Sequence, residues 1–458
     1  MVGSLVPDVV DDERVVAEAR DARVQLVRFL YCDLSGVTRG KTAHARRLAD
    51  KLREGVGLTR AQMAMSFLEQ LVPVEGMEPV GEIRLVPDPS TFSVLPWVPS
   101  SASVLCNQVG LDHQDWGADP RGFLKRMIER AGDHGIRVEA SFEDEFFLAR
   151  EVDGRFIPFD SAPVYSAIGL DLSADVMHDI VDALEQQGLL VEQAINEYGP
   201  GQQEIAIRHA PALRAADNQI KVRDTVRGVG LRHGLLASFA PKPFPGTVGS
   251  GAHVHFSLWD TETGRNLLYD PNAPRGLSDL GRHAIGGLLT YLPALIALTC
   301  PSYNSYRRLQ PHAWSSAFTA WGFDNREAAI RVSSPFWGNE EGSFNLELKP
   351  VDNSANPYLA LGGIIAAVLD GIDRSIEPGP PSEHDPANLS EAERAERGIR
   401  RLPTDPESAL QQLEQDRLLT DALGEFLARA YLAVHRADNA AFAAEDEDFE
   451  IRNHFYKF

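Results

Sequence analysis

Two histidines stand at alternate positions in the stretch GSGAHVHFSLW, residues 249–259, directly after a run of glycine and serine. The stretch predicts a β-strand, in which side chains two residues apart point to the same face. His253 and His255 would therefore project together from one face of a sheet. A shared face makes these two imidazoles candidates for one binding site, because imidazole is a common metal ligand.

Paired carboxylates occupy a second predicted strand. In FEDEFF, residues 142–147, Glu143 and Glu145 share one face and Asp144 lies on the other. The flanking phenylalanines would make this site partly dry, and two carboxylates in a dry place repel each other unless a positive charge lies between them. A divalent cation is the simplest such charge. The alternative is an amphipathic edge strand whose acidic face is in water.

Three further glutamates fit the same chemistry. Glu197 and Glu204, in NEYGPGQQE, lie on two predicted strands that meet across a Gly-Pro-Gly turn, and Glu347 alternates with apolar residues in FNLELKP. Each of them alone is more often a surface glutamate. Together with the FEDEFF glutamates and a histidine they predict oxygen-rich sites for Mg²⁺ or Mn²⁺, and the imidazole favours Mn²⁺. Zinc would more often recruit cysteine or several histidines.

Arginines form a second set of candidates. NSYRRLQP carries Arg307 and Arg308, and DNREAAIRV carries Arg326 and Arg331 at a spacing that fits a loop followed by a strand. Guanidinium groups bind carboxylate and phosphate through two parallel hydrogen bonds, although an isolated arginine is more often part of a surface ion pair. Metal ions beside guanidinium groups are typical of phosphoryl transfer. The sequence has no GxxxxGK[ST] loop, kinase loop or GxGxxG motif, so a nucleotide would be held in another way.

Composition limits the partners and the location. The chain has 458 residues and a formal charge of −22, which argues against a nucleic-acid partner because phosphate binding needs basic surface. The three cysteines form no CxxC pair, which excludes a zinc ribbon and a disulfide framework. No signal peptide is recognised, and the longest apolar stretch, AIGGLLTYLPALIALTC, favours a buried helix over a membrane span. We therefore expect a soluble cytoplasmic protein with no membrane partner.

The elements that must position the candidate residues alternate along the chain. Strands are predicted at 23–31, 81–88 and 136–150 and on both sides of the Gly-Pro-Gly turn, and helices at 119–135, 172–188, 210–234 and 356–372. The C-terminal tail is mostly helical. This order predicts an α+β fold, with a small β-rich N-terminal domain before a larger α+β domain.

Six motifs stand in order along the chain, namely FEDEFF, NEYGPGQQE, KPFPGTVGSGAHVHFSLW, NSYRRLQP, NREAAIR and ANPYLA. Together they resemble the glutamine synthetase superfamily, especially its type I-like branch. The resemblance implies a small β-grasp-like N-terminal domain, residues 1–105, followed by a large glutamine synthetase-type catalytic domain, residues 106–458. It also implies a reaction in which ATP phosphorylates the γ-carboxylate of glutamate and a nitrogen nucleophile then attacks the acyl phosphate.

The resemblance implies two sites for Mg²⁺ or Mn²⁺. The first ion bears on the amino-acid substrate, and the residues that match its ligands are Glu145, Glu197 and Glu204. The second ion holds the nucleotide phosphates, and the residues that match its ligands are Glu143, His253 and Glu347. His255 matches a histidine that contacts the ATP phosphates, and Ser257 lies near the nucleotide.

The same resemblance implies residues that bind the substrate and the transferring group. Gly249 and Gly251 match a loop beside the amino acid, where absent side chains allow close backbone approach. Arg308 matches the arginine that binds the substrate carboxylate. Arg326 and Arg331 match those that steady the transferring phosphoryl group, and Arg331 would also contact ATP.

Several positions differ from a true glutamine synthetase. In that enzyme a glutamate six residues after the arginine of RL.P helps to build a negative ammonium pocket, whereas this chain has Trp314 there. Asp33, in CDLSG, matches the other carboxylate of the pocket. Tryptophan provides an apolar or cation–π wall that suits an alkyl or aryl amine, unless it packs in the core. Lys349 stands where the family usually has an arginine near the reacting carboxylate, and Val248 replaces an asparagine. Ser390 lies about where regulated relatives carry an adenylylated tyrosine, so that control is expected to be absent.

These departures favour a glutamate–amine ligase that acts on a polyamine, ethanolamine, methylamine or an aromatic amine. An acidic amine channel would favour a polyamine, and a channel capped by Trp314 favours a small or apolar monoamine. Two alternatives stay open: a true glutamine synthetase that uses ammonia, and a non-catalytic family member with a structural or regulatory role. The resemblance also implies a homo-oligomer of stacked rings, a dodecamer, in which Asp33 serves the adjacent subunit's site.

Overall fold

Two β-sheets and the helices packed on them make up residues 12–458, the part of the chain that the computed structural model describes. The strands are β1 Leu26–Cys32, β2 Thr38–His44, β3 Val56–Thr59, β4 Glu82–Pro87, β5 Ser93–Val94, β6 Ser101–Val109, β7 Ile136–Val152, β8 Arg155–Pro158, β9 Val191–Asn196, β10 Gln202–Ile207, β11 Ala210–Pro211, β12 Leu236–Ser238, β13 Ala252–Asp260, β14 Trp321–Phe323, β15 Ile330–Val332 and β16 Leu346–Leu348. The helices are α1 Asp12–Asp21, α2 Leu48–Glu54, α3 Pro120–Asp133, α4 Ala167–Glu185, α5 Ala212–Arg232, α6 Asp279–Thr299, α7 Ser305–Arg308, α8 Glu340–Ser343, α9 Pro357–Asp373, α10 Glu391–Glu396, α11 Pro406–Gln415, α12 Arg417–Leu423, α13 Glu425–Ala443 and α14 Glu447–Lys457. This mixture of helices and sheets confirms the predicted α+β class.

The first sheet belongs to the N-terminal part of the chain and has the strand order β2-β1-β6-β4-β3, with β5 paired to β6. In β1 the side chains of Val27, Phe29 and Tyr31 are buried at alternate positions, as expected for a strand with one face against a core. Every residue of β6 pairs with β1 or β4 of this same sheet. The predicted domain boundary at 105/106 falls inside β6, and we therefore propose that the boundary follows this strand. Residues 1–11 of the predicted N-terminal domain lie outside the described residues.

The second sheet has the order β14-β15-β16-β13-β7-β10-β9 and is built around the long strand β7. Helices α3 and α5 pack against β7, and Phe146 and Leu148 share a core cluster with Val222 of α5. Because side chains alternate along a strand, Glu143 and Glu145 point to the opposite face from Phe146 and Leu148. That face carries the candidate site.

Helices α6 and α9 pack against each other beside this sheet. A Cβ on Gly287 of α6 would lie 2.7 Å from the Cα of Gly371 of α9, so the two backbones meet where neither residue has a side chain. The apolar stretch that favoured a buried helix lies within α6 except for its last residue, Cys300, and most of its side chains are buried. Among residues 12–458, none of the helices combines the length and the apolar character needed to cross a membrane.

Element boundaries differ from the predicted ones by a few residues, for local reasons. Helix α3 begins at Pro120 because the side chain of Asp119 caps it by accepting a hydrogen bond from the Arg121 backbone N–H. Helix α4 begins at Ala167, five residues before the predicted start at 172, because the Ser166 side chain caps it there.

Candidate active site

The two histidines of β13 lie between two carboxylates of the neighbouring strands. In the sheet register, His253 is directly opposite Glu143 of β7, and His255 is directly opposite Glu347 of β16. Directly opposed side chains on one face of a sheet are near neighbours. The structure thus brings together four of the residues predicted to bind metal or ATP.

Glu143, His255 and Glu347 form one group whose ligand atoms all lie within 4.8 Å of one another. The Nε2 atom of His255 is 3.7 Å from Oε2 of Glu143 and 3.8 Å from Oε1 of Glu347. It is buried and has no hydrogen-bond partner in the described part of the chain. The ring is held from the other side, because its Nδ1–H donates to Oδ1 of Asn345 at 2.9 Å. An oriented imidazole with an unsatisfied buried nitrogen fits a site that binds a metal ion or a phosphate.

His253 has a different electrostatic setting. Its Nε2 accepts a hydrogen bond from Nη2 of Arg308 at 3.1 Å, so Nδ1 carries the proton. That Nδ1 lies 3.2 Å from Oε2 of Glu143 and 3.3 Å from Oε1 of Glu347. Burial, followed by the charge of Lys349, lowers the pKa of His253 to about 4. A neutral imidazole is the form that binds metal ions, and a cation held by these carboxylates would replace the Nδ1 proton.

Positive side chains surround Glu347. Nζ of Lys349 donates to its Oε1 at 3.2 Å, and Nε of Arg331 donates to its Oε2. Burial raises the pKa of Glu347, but the charge of Lys349, followed by the neighbouring imidazoles and Arg331, outweighs burial and holds the pKa well below its usual range. Glu347 therefore stays ionised, and two of the residues predicted to contact the reacting groups meet at this buried carboxylate.

Three more carboxylates gather on the same face of the sheet, where β7 pairs with β10 instead of β13. Glu204 of β10 is directly opposite Glu145, and Glu197 follows β9. Burial, together with repulsion from neighbouring carboxylates, raises the pKa of Glu204 to about 10 and that of Glu145 to about 7. Burial also raises the pKa of Glu197. A divalent cation would relieve this repulsion, and oxygen ligands of this kind suit Mg²⁺ or Mn²⁺.

Arg308 and the glycine-rich turn fit together beside the histidines. The Arg308 side chain is buried, and its Nη1 has no hydrogen-bond partner among residues 12–458. A Cβ on Gly251 would lie 2.5 Å from Nε2 of His253 and 2.7 Å from Nη2 of Arg308, and a Cβ on Gly249 would lie 2.8 Å from Cγ of Arg308. The space left by the missing side chains is therefore needed by Arg308 and His253. The free Nη1 is a buried donor that fits an anionic ligand.

The other predicted residues of the catalytic part have different surroundings. Ser257 is on the same strand as the histidines, and its Oγ accepts a hydrogen bond from Nε1 of Trp259 at 2.8 Å. Arg326 is exposed in the loop before β15. The Trp314 side chain is 52% exposed, and its backbone N–H donates to Oε1 of Glu327 at 3.1 Å. Trp314 therefore does not pack in the core, which was the alternative explanation for a tryptophan at this position.

The structure does not bring Asp33 to the cluster in its own chain. Its carboxylate is fully buried and accepts hydrogen bonds from the backbone N–H groups of Ser35 and Val37. It also forms an ion pair with Arg39, whose Nε is 2.5 Å from Oδ2. Its neighbours in the chain thus account for both oxygens of this carboxylate.

Sequence reasoning missed several residues that support the site. Nε2 of Gln202 donates to Oε2 of Glu145 at 3.3 Å, and the Tyr165 hydroxyl donates to Oε2 of Glu197 at 3.4 Å. Gln202 and Asn345 each precede a predicted ligand by two residues. In a strand, residues two apart share a face, so this spacing could have indicated that both side chains point toward the site. Tyr165 lies in a loop far along the chain from Glu197, and no local pattern indicates that contact.

Comparison with known proteins agrees with the geometry. The family model described as "Glutamine synthetase N-terminal domain" matches residues 10–116, and "Glutamine synthetase, catalytic domain" matches residues 117–454. Type-1 glutamine synthetase 1 from Dictyostelium discoideum is 33% identical over 95% of this chain and 90% of its own length. Gamma-glutamylpolyamine synthetase GlnA3 from Streptomyces coelicolor is 36% identical over 92% of this chain and 91% of its own length. Glutamine synthetase from Pyrococcus abyssi is 36% identical over 88% of this chain and 87% of its own.

Solved structures show the same fold over nearly the whole chain. A crystal structure described as a novel glutamine synthase homolog has a TM-score of 0.85 and 33% identity, and covers 95% of this chain and 99% of its own. A GmaS/ADP complex has a TM-score of 0.83 and 30% identity, and covers 97% of this chain and 99% of its own.

Proposed function

Since this chain belongs to the glutamine synthetase family, whose members are ATP-dependent ligases that form C–N bonds, we propose that it joins the γ-carboxylate of glutamate to an organic amine. ATP would phosphorylate the carboxylate, and the amine nitrogen would attack the acyl phosphate. The activation step needs positive charge, because both ATP and the carboxylate are anions.

The buried carboxylates support two divalent-cation sites. The first would be held by Glu145, Glu197 and Glu204, and the second by Glu143, His253 and Glu347. Bound Mg²⁺ or Mn²⁺ would supply positive charge that offsets the repulsion between the phosphates and the reacting carboxylate. The orphaned Nε2 of His255 and the strong mutual repulsion of the first three glutamates both support this use.

We assign two roles to the predicted residues that bind the amino acid or ATP. The unmet Nη1 of Arg308 supports its role in binding the substrate carboxylate beside Gly249 and Gly251, and Lys349 would lie near the reacting carboxylate. The residues that would contact ATP or steady its transferring phosphoryl group are His255, Ser257, Arg326 and Arg331.

The proposed preference for an organic amine depends mainly on the exposed side chain of Trp314. Its half-exposed indole gives an incoming alkylamine an apolar face and a partner for its charged nitrogen, whereas ammonium has no carbon chain to bury against it. The match to a gamma-glutamylpolyamine synthetase supports an organic amine. The second candidate is a glutamine synthetase that uses ammonia, which the several relatives of that name support. The third is a non-catalytic family member, and the complete set of predicted ligands argues against it.

Assembly and location follow the family. We propose a cytoplasmic homo-oligomer, a dodecamer of stacked rings, in which the N-terminal part of one subunit borders the active site of the next. Because Asp33 is buried and paired with Arg39, a contribution of Asp33 to a neighbouring site would involve this ion pair.

The test is phosphate release with ATP, Mg²⁺ or Mn²⁺ and glutamate across a panel of ammonium, small monoamines, aromatic amines, ethanolamine and polyamines. We expect organic amines to stimulate release more than ammonium does, and a Glu347→Gln variant to lose the stimulation. No amine-dependent release from the wild type would refute the proposal. Release that is fastest with ammonium would favour a glutamine synthetase.

A further inference from the structure

The loop 312–316 has an unusual backbone that contacts beyond the loop hold in place. His312, Trp314 and Ser316 have φ angles of 59°, 52° and 64°, in a region that residues with side chains rarely adopt. Such a backbone conformation is unfavourable, so it persists where surrounding contacts enforce it. The Trp314 N–H donates to Oε1 of Glu327 at 3.1 Å, and Oγ of Ser316 donates to the Ala328 carbonyl at 2.8 Å. Two of the three strained residues are thus tied to the segment before β15.

Glu327 lies in that segment, which also contains Asp324. The side chain of Glu327 is partly buried, and its backbone N–H donates to Oδ1 of Asn325 at 3.0 Å, which fixes the turn that carries it. One carboxylate oxygen, Oε1, accepts from the Trp314 backbone. The other oxygen, Oε2, has no hydrogen bond to another described residue. This carboxylate therefore contacts the backbone of Trp314, the position where the family resemblance places the glutamate of an ammonium pocket.

Charges on several sides face Glu327. Asp385 and His312, which form a 2.7 Å contact with each other, act on it from one side. Lys349 acts on it from the side of the metal-ligand cluster. Burial is the largest influence and raises the pKa of Glu327 above its usual value, although the hydrogen bond from the Trp314 backbone, followed by His312 and Lys349, opposes this. The charge of Lys349, which contacts Glu347, therefore also acts on Glu327.

The predicted metal-ligand glutamates, Asp33 and Asp385 are already engaged. The glutamates of the two clusters face one another and would hold cations, Asp33 is paired with Arg39, and Asp385 contacts His312. An alkylamine is protonated at neutral pH and must lose a proton before it can attack. Resting on the proposed function, we propose that Glu327 is the catalytic base that takes this proton, and that Glu327 and Trp314 together form the amine site.

The amine binds as an ammonium ion, with its carbon chain against Trp314 and its charged nitrogen beside Glu327. The Glu327 carboxylate takes one proton, and the freed lone pair attacks the carbonyl carbon of the acyl phosphate. The new C–N bond forms as the C–O bond to phosphate breaks. A second nitrogen proton leaves with the phosphate, and the third remains on the amide.

The test compares two nucleophiles on the variants Glu327→Gln and Glu327→Asp. Hydroxylamine is largely unprotonated at neutral pH and needs no base to free its lone pair, so it reports formation of the acyl phosphate alone. We expect Glu327→Gln to lower kcat/KM for the best amine by about 100-fold or more and to keep hydroxamate formation within a few-fold of wild type. The deficit should shrink as the pH rises toward the pKa of the amine, and Glu327→Asp should recover part of the rate.

Glu383→Gln is the matched control, because Glu383 is exposed on the loop that contacts Asn325. This variant should leave both nucleophiles unaffected. An equal loss with amine and hydroxylamine would overturn the inference, since it would indicate a structural role for Glu327, and so would an unchanged amine rate. If the wild type uses only ammonia, the proposed function fails, yet the comparison of ammonia with hydroxylamine still tests Glu327.

Discussion

Replacing Glu204 by glutamine is expected to stabilise the metal-free protein and to weaken its stabilisation by Mg²⁺. The Glu204 side chain is buried opposite Glu145, and the charges of Glu143, Glu197 and Glu347 also act on it. Glutamine keeps the shape of the side chain and removes the group that can ionise. The substitution therefore tests whether these carboxylates form a site that needs a cation.

The direction and size of the expected change in stability depend on the pKa of Glu204, which is raised from 4.5 to about 10 in the folded protein. Below pH 4.5 the group is protonated in both states and has no effect. Between these two pKa values the unfolded chain ionises and the folded chain does not, so the free energy of unfolding falls as the pH rises. Near pH 7.5 the raised pKa of Glu204 lowers the free energy of unfolding by roughly 2 to 4 kcal/mol, and Glu204→Gln would remove this loss.

The assay is thermal unfolding of both proteins between pH 5.5 and 9, without metal and with Mg²⁺ or Mn²⁺. We expect the Tm of the variant to exceed that of wild type by a margin that grows with pH, and its metal-induced rise in Tm to be smaller. Glu185→Gln, at an exposed helix position, controls for the general loss of a charge. A Tm for Glu204→Gln no higher than that of the control at high pH, or an undiminished response to metal, would refute the reasoning.

Three further substitutions test other parts of the site. Trp314→Glu should lower the ratio of kcat/KM for the best organic amine to that for ammonium by about 10-fold or more, and an unchanged ratio in steady-state kinetics would exclude Trp314 from the amine site. Asn345→Ala removes the acceptor that orients His255 and should raise KM for ATP by about 10-fold while leaving KM for glutamate unchanged; equal changes in both would indicate a general disturbance. Arg39→Met leaves the buried Asp33 unpaired and should reduce the free energy of unfolding by about 3 kcal/mol, as measured by urea denaturation, whereas an unchanged midpoint would mean that Asp33 is protonated in the fold.

The sheet face that carries the site was largely predictable. Strand side chains alternate with a period of two, so FEDEFF and AHVHF each indicate which residues share a face. The cross-strand contacts of Glu143 with His253 and of His255 with Glu347 are not visible in any single stretch. They became predictable when the family resemblance placed the motifs in one fold.

Contacts that depend on non-local geometry were not predictable. The left-handed conformation of Trp314 is imposed by bonds from a segment more than ten residues away, and neither its exposure nor its contact with Glu327 follows from RLQPHAW. The burial of Asp33 likewise depends on Arg39 and on the turn that brings Ser35 and Val37 back to it. Such contacts belong to the tertiary structure, which local patterns do not encode.

The most direct test of the central claim is a competition in one vessel. Wild-type protein with ATP, Mg²⁺ and glutamate receives equal concentrations of isotopically labelled ammonium and the best amine of the panel, and mass spectrometry measures labelled glutamine against the γ-glutamyl amide. We predict that the γ-glutamyl amide predominates and that its share falls in Trp314→Glu. A product that is mainly glutamine in the wild type would contradict the claim that this enzyme is an amine ligase.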